Sequence, residues 1–160
     1  LSTLEGIERF DGVPTGDDAG PPEARPVSFE LRDHTADIAV EAIGETLSET
    51  FENVAAGLTA AHCDSVPSGG ERFSFVVEAE SPEALLFDYL GELIYQRDVR
   101  NVLPAEHQVS IEPGEWRLEA SARGVPLGSV PAREIKAVTY SEMTLDRTDA
   151  GWKAYVVFDV

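Results

Sequence analysis

The sequence predicts an α+β fold: a largely antiparallel sheet with two helices packed on one face. Three observations carry this. Two stretches, beginning near Thr46 and Ser81, repeat apolar residues at helical spacing. Seven short segments alternate apolar and polar residues or run β-branched and aromatic. The predicted order is β-β-α-β-α followed by four strands, which suits antiparallel pairing better than parallel crossovers.

The elements follow in order. Residues 1–27 are dominated by Gly, Pro and Asp and keep no periodicity, so they are expected to be disordered or loosely attached. The folded domain is expected over 28–160. Ser28–Arg32 reads as a short strand, Asp33–Asp37 as a polar turn and Ile38–Ile43 as a second strand. Thr46 and Glu49 have capping-box spacing. Leu47, Phe51, Val54, Ala55 and Leu58 then mark one face of a helix ending near His62. Phe73, Phe75, Val77 and Ala79 alternate in a third strand. Ser81-Pro82 opens a second helix, with Ser as N-cap and Pro at its first position. Its inner face carries Leu86, Tyr89, Leu90, Leu93 and Ile94. Gln108–Glu112 and Trp116–Ala122 pair around Pro113-Gly114, and Val125–Arg133 reads as a loop. Ile135–Asp146 and Trp152–Val160 are the last strands, separated by a turn at Asp149-Ala150-Gly151.

Charge narrows the function. Thirty acidic residues against twelve basic ones give a net charge of −18. Nucleic-acid affinity comes mostly from Lys and Arg neutralising phosphates, so autonomous binding to nucleic acid or to an anionic membrane is disfavoured. Only Lys136 and Lys153 are lysines. A carboxylate-rich, lysine-poor surface suits molar salt, where the screening length falls to ~3 Å. The expected setting is therefore the cytoplasm of a salt-adapted (halophilic) cell, with an ordinary acidic mesophile protein as the alternative. One cysteine, no apolar run of membrane-spanning length and no leader pattern agree with that setting.

Catalytic signatures such as a Gly-rich phosphate loop, a G-x-S-x-G elbow or an H-E-x-x-H helix do not occur. Cys63, beside His62, reads as a small buried hydrophobe, and His107 as a surface residue in an acidic loop. Three places keep chemical interest. Asp33-His34-Thr35-Ala36-Asp37 suits either a polar turn or a cluster able to bind a hard cation. Phe158-Asp159-Val160 brings a carboxylate next to the terminal one, which suits either a solvated end or Ca²⁺ or Mg²⁺ ligation. Lys136, within a predicted strand, either has a specific role or pairs with a neighbouring carboxylate.

The segments His34–Ala42, Phe51–Ala55, Leu85–Tyr95, Glu134–Tyr140 and Gly151–Val160 together resemble the archease family. The resemblance implies a helper of the tRNA-splicing RNA ligase, with no ligase chemistry of its own. That ligase joins 2′,3′-cyclic-phosphate or 3′-phosphate ends to 5′-hydroxyl ends, and the helper promotes its guanylylation and multiple turnover. The resemblance further implies a divalent metal, usually calcium, held by Asp37, Asp159 and Val160. His34 would stand behind these ligands, and Lys136 would be the activating lysine. Where the family usually reads Thr-Tyr-His, this chain has Thr139-Tyr140-Ser141, and Gly124–Arg133 contains no histidine, so no role is carried over for those histidines. From the residues alone, a metal-dependent hydrolase using Asp37 and Asp159, or a general chaperone, remains an alternative.

Overall fold

The computed structural model describes residues 37–160. The expected strand at Ser28–Arg32, the segment 1–27 and His34 lie outside the described residues. The elements are β1 (Asp37–Gly44), α1 (Leu47–His62), β2 (Glu71–Glu78), α2 (Pro82–Arg100), β3 (Val102–Glu112), β4 (Arg117–Pro126), β5 (Ala137–Thr148) and β6 (Gly151–Asp159). A single 3₁₀ turn, Leu127–Ser129, occupies part of the expected loop. Among the described residues all pairing is antiparallel, and the strands divide into two three-stranded sheets, β1-β6-β5 and β2-β4-β3. Both helices contact both sheets: α1 packs on β1 and β3, and α2 packs on β5 and β3.

The helix starts follow the sequence closely. Thr46 Oγ1 accepts the Glu49 N–H at 3.1 Å. The return bond of the box is displaced by one residue: Glu49 Oε1 accepts from Glu45 N–H rather than from the cap itself. Ser81 Oγ accepts the Ala84 N–H, with Pro82 at the first turn. Asn101 ends α2 in the left-handed conformation, a common C-terminal stop.

One core joins the helices to both sheets. Phe51, Val54, Leu85, Leu86, Tyr89, Leu90, Leu118 and Phe158 all lie within it, and each such side chain contributes roughly 1.5–3 kcal/mol by leaving water. Phe51 and Phe75 both stack on Tyr89 at 6.0 Å. Gly57 lets α1 approach β1 closely: a Cβ there would lie 2.5 Å from Val40 Cγ1. A smaller cluster, Cys63, Leu103, Ala105 and Val125, seals the end of α1. Cys63 is buried, and its thiol donates to the Ser65 carbonyl, in line with a packing role. No helix of the described residues is long and apolar enough to cross a membrane.

Three expectations need correction. Val125 and Pro126 finish β4 rather than beginning a loop, because they pair with Leu103 and Val102. His107 is not a surface loop residue; it lies in β3, which already begins at Val102. An irregularity between Ala105 and Gln108, with Glu106 at φ 52°, interrupts the alternation there and hides the strand in the text. Lys136 does not lie inside a strand; β5 begins one residue later. The backbone of residues 133–136 is held by groups outside β5, as described below.

Candidate metal centre

The alternation of β1 and β6 decides where the carboxylates go. On the buried side, Val40 opposes Val156, Ala42 opposes Ala154 and Ile38 opposes Phe158. Successive strand residues point to opposite faces, so Asp37 and Asp159 must point outward. They are direct cross-strand partners, and both are exposed. Directly opposed residues place their Cβ atoms about 4.5–5.5 Å apart, which sets two carboxylates side by side. Like charges so placed repel. No Lys or Arg of the described residues comes within 4.0 Å of either one. The ion pair of this face, Lys153 Nζ to Glu41 Oε2 at 2.9 Å, lies farther along.

The third strand brings Lys136 to the same end. Ala137 pairs with Asp159, and the Lys136 N–H donates to the Asp159 carbonyl at 2.8 Å. Lys136 is exposed, and among the described residues its ammonium has no carboxylate partner within 4.0 Å. The simple pairing role open to it in the sequence therefore finds no partner among them. Val160 is partly buried and follows Asp159 directly. The structure thus brings Asp37, Asp159, Val160 and Lys136 to one end of one sheet.

The chemistry of this donor set fits a hard cation. Every candidate donor is an oxygen, and hard cations take carboxylate and carbonyl oxygens. A divalent ion between Asp37 and Asp159 would turn their repulsion into shared attraction. Among the described residues no third His, Cys, Asp or Glu converges on them, so Val160 and water would supply the remaining oxygens. The surroundings are negative as well. Tyr155, opposite Glu41, has its hydroxyl pKa raised, first by burial and then by Glu142, Glu41 and Asp37.

Away from this end, the buried His62 and the half-buried His107 line a small cavity with Thr59, Leu93, Ile94 and Pro104. His62 Nδ1 donates to the Leu58 carbonyl at 3.0 Å, and its Nε2 accepts from Arg97 Nη1 at 2.9 Å. His107 Nε2 lies 2.7 Å from Thr59 Oγ1. That hydroxyl also faces the Ala55 and Pro104 carbonyls, so it donates to one of them and accepts from His107. Burial lowers the pKa of His107 to about 4, helped by the Arg72 charge. Burial also lowers that of His62, and Arg97 adds to it against the opposing Leu58 carbonyl and Asp98. Both rings are neutral when folded, while the unfolded chain takes up protons near pH 6.5. The contribution of His107 is therefore present above about pH 6.5 and is lost as pH falls toward 4, and the lowering at His62 acts in the same direction. Urea midpoints should decline across that window, and His107→Gln should flatten the decline. An unchanged slope in the variant would show that His107 is not its source.

Arg97 is the residue that reading the sequence missed. It continues the inner stripe of α2, three residues beyond Ile94, and that spacing was the available signal.

Comparison with known proteins adds the lineage. Residues 29–160 match the model of the Archease protein family (MTH1598/TM1083). The protein archease of Methanosarcina mazei is 38% identical over 139 residues, covering 82% of this chain and 95% of that protein. The protein archease of Pyrococcus furiosus is 34% identical over 140 residues, covering 82% and 98%. The solution structure of Methanobacterium thermoautotrophicum protein 1598 superposes with a TM-score of 0.66 at 27% identity, covering 82% of this chain and 96% of that one. The crystal structure of an archease, possible chaperone, from Thermotoga maritima shares the fold, with a TM-score of 0.60 at 22% identity, and covers 87% and 99%.

Proposed function

Because this chain belongs to the archease family, we propose that it activates the tRNA-splicing RNA ligase that joins 2′,3′-cyclic-phosphate or 3′-phosphate ends to 5′-hydroxyl ends. It acts as a protein cofactor and not as an enzyme, promoting ligase guanylylation and multiple turnover. The observation that carries this reading is the meeting of Asp37 with Asp159 and Lys136 at one sheet end. That end combines a divalent-cation site, for which calcium is the candidate, with a lysine that has no carboxylate partner among the described residues. Asp37, Asp159 and Val160 would hold the ion, and the ion would supply positive charge next to the ligase active site. The net charge of −18 argues against a direct grip on RNA and for docking on a basic, nucleic-acid-binding surface of the ligase.

The deciding experiment is ligation under single- and multiple-turnover conditions, with and without this protein. Stimulation confined to this ligase supports the reading. Phosphoester turnover by the protein alone would replace it with the hydrolase.

Lys136→Ala should abolish most stimulation while leaving the melting temperature nearly unchanged, since an exposed side chain outside special contacts is worth within about 0.5 kcal/mol. Lys136→Arg should restore only part, because a planar fork replaces a compact ammonium. Titrating ligase with each variant checks this, and full activity of Lys136→Ala would remove the lysine from the site.

The acidic, lysine-poor surface suits a salt-rich cytoplasm. The melting temperature should therefore fall as KCl drops from molar toward 0.1 M, where carboxylate repulsion reaches ~10 Å. A melting curve indifferent to KCl would contradict that adaptation.

A further inference from the structure

We propose that Arg97 is a positioning residue for Lys136, acting through the backbone of residues 133–136. The proposal rests on the reading of Lys136 given above.

This segment has no secondary structure, yet it is held at three points. The Arg133 N–H donates to the His62 carbonyl at 2.6 Å, at the end of α1. Arg97 Nη1 donates to the Ile135 carbonyl at 2.6 Å, from the last turns of α2. The Lys136 N–H donates to the Asp159 carbonyl at 2.8 Å, at the end of β6. The Ile135 side chain is fully buried between them. Fixing an irregular backbone costs about 1–2 kcal/mol per residue, so these anchors are what order it.

Of the three, only the Arg97 anchor comes from a side chain. Its guanidinium is buried, and its only carboxylate partner among the described residues, Asp98, is largely exposed. A buried charge so thinly compensated is a poor source of stability, and an apolar side chain would serve packing as well or better. What an apolar residue cannot do is bond in three directions. Arg97 Nε and Nη2 each lie 2.9 Å from Asp98 Oδ1. The two protons of Nη1 serve His62 Nε2 and the Ile135 carbonyl. His62 is fixed in the accepting tautomer because its Nδ1 donates to Leu58. The network runs from α1 through α2 to the peptide that precedes Lys136. Lysine cannot reproduce it, having one nitrogen where arginine has a fork.

The test compares Arg97→Met and Arg97→Lys in the full chain, each with Lys136 intact and with Lys136→Ala. Amide exchange at Lys136 and Arg133 should accelerate in both variants, while amides in the middle of the β1–β6 pair keep their protection. Ligase stimulation should fall roughly 10- to 100-fold, the scale expected when a reacting group is misplaced by about 1 Å. Calcium affinity should hold, because Asp37 and Asp159 are set by the strand register. On the Lys136→Ala background the Arg97 change should cost nothing further. An equal loss on both backgrounds, unchanged exchange at Lys136, or undiminished stimulation in both Arg97 variants would each overturn the proposal. Should Arg97→Met fail to fold, Arg97→Lys keeps the charge and decides the same questions. If Lys136→Ala itself stimulates fully, the functional reading falls, and the exchange rates alone decide whether Arg97 holds the segment.

Discussion

Asp37→Ala should lower calcium affinity by at least roughly 10- to 100-fold without harming the fold. Asp37 is exposed, begins β1 and faces Asp159 across the pair. Affinity at oxygen sites follows the number of charged ligands, and the variant leaves one aspartate where there were two. Outer partners of metal ligands are already worth about 10–100-fold, so a direct ligand should be worth no less. Without metal, the variant should melt at the same temperature or slightly above the parent, because a like-charge pair across the strands has been relieved. With calcium added, the parent should gain stability and the variant should not. Ligase stimulation should fall in step. Calorimetric titration and paired melting curves measure both effects, and parental calcium affinity in the variant would exclude Asp37 as a ligand.

The second large effect is Phe158→Ala. Phe158 is completely buried, opposes Ile38 on one side and Val138 on the other, and sits one residue before Asp159. Removing a buried phenyl ring costs about 3–5 kcal/mol. For a chain of this size that corresponds to a fall in melting temperature of roughly 10–20 °C. The two variants therefore separate along different axes. Asp37→Ala should lose the ion and keep the fold, whereas Phe158→Ala should melt earlier and, near its lowered melting point, lose the ion as well. Thermal melts with and without calcium distinguish them. A melting temperature within a few degrees of the parent would mean that the sheet closes around the missing ring.

Local features were the legible ones. The amphipathic stripe of α1, the Ser81-Pro82 start of α2 and the inward set Ala154, Val156 and Phe158 are all written at short range, and packing reinforces each. The meeting of Asp37 with Asp159 was not legible from spacing. It depends on which strands pair and in what register, which is a property of the whole core. His107 was misread because the irregularity at Glu106 breaks the alternation on which a strand is recognised. Ile135–Thr139 reads as a strand in the text, but Arg97 takes the carbonyl of Ile135 and β5 begins only at Ala137. A charged residue on an inner helical stripe is easy to pass over, since the pattern is searched for apolar residues.

The order β1-β6-β5 puts β6, the last of the described strands, in the middle of its sheet. On the ribosome, β1 therefore waits while about 120 further residues are made. At ~5–20 residues per second, that is roughly 6–25 s. Throughout that interval Ile38 and Val40 have no β6 to lie beside, and the two aspartates belong to separate parts of a growing chain. A product truncated before β6 would carry Asp37 but could not form the pair. The pairing of the two aspartates thus works as a proofreading mark: only a chain translated through β6 and correctly registered can display it.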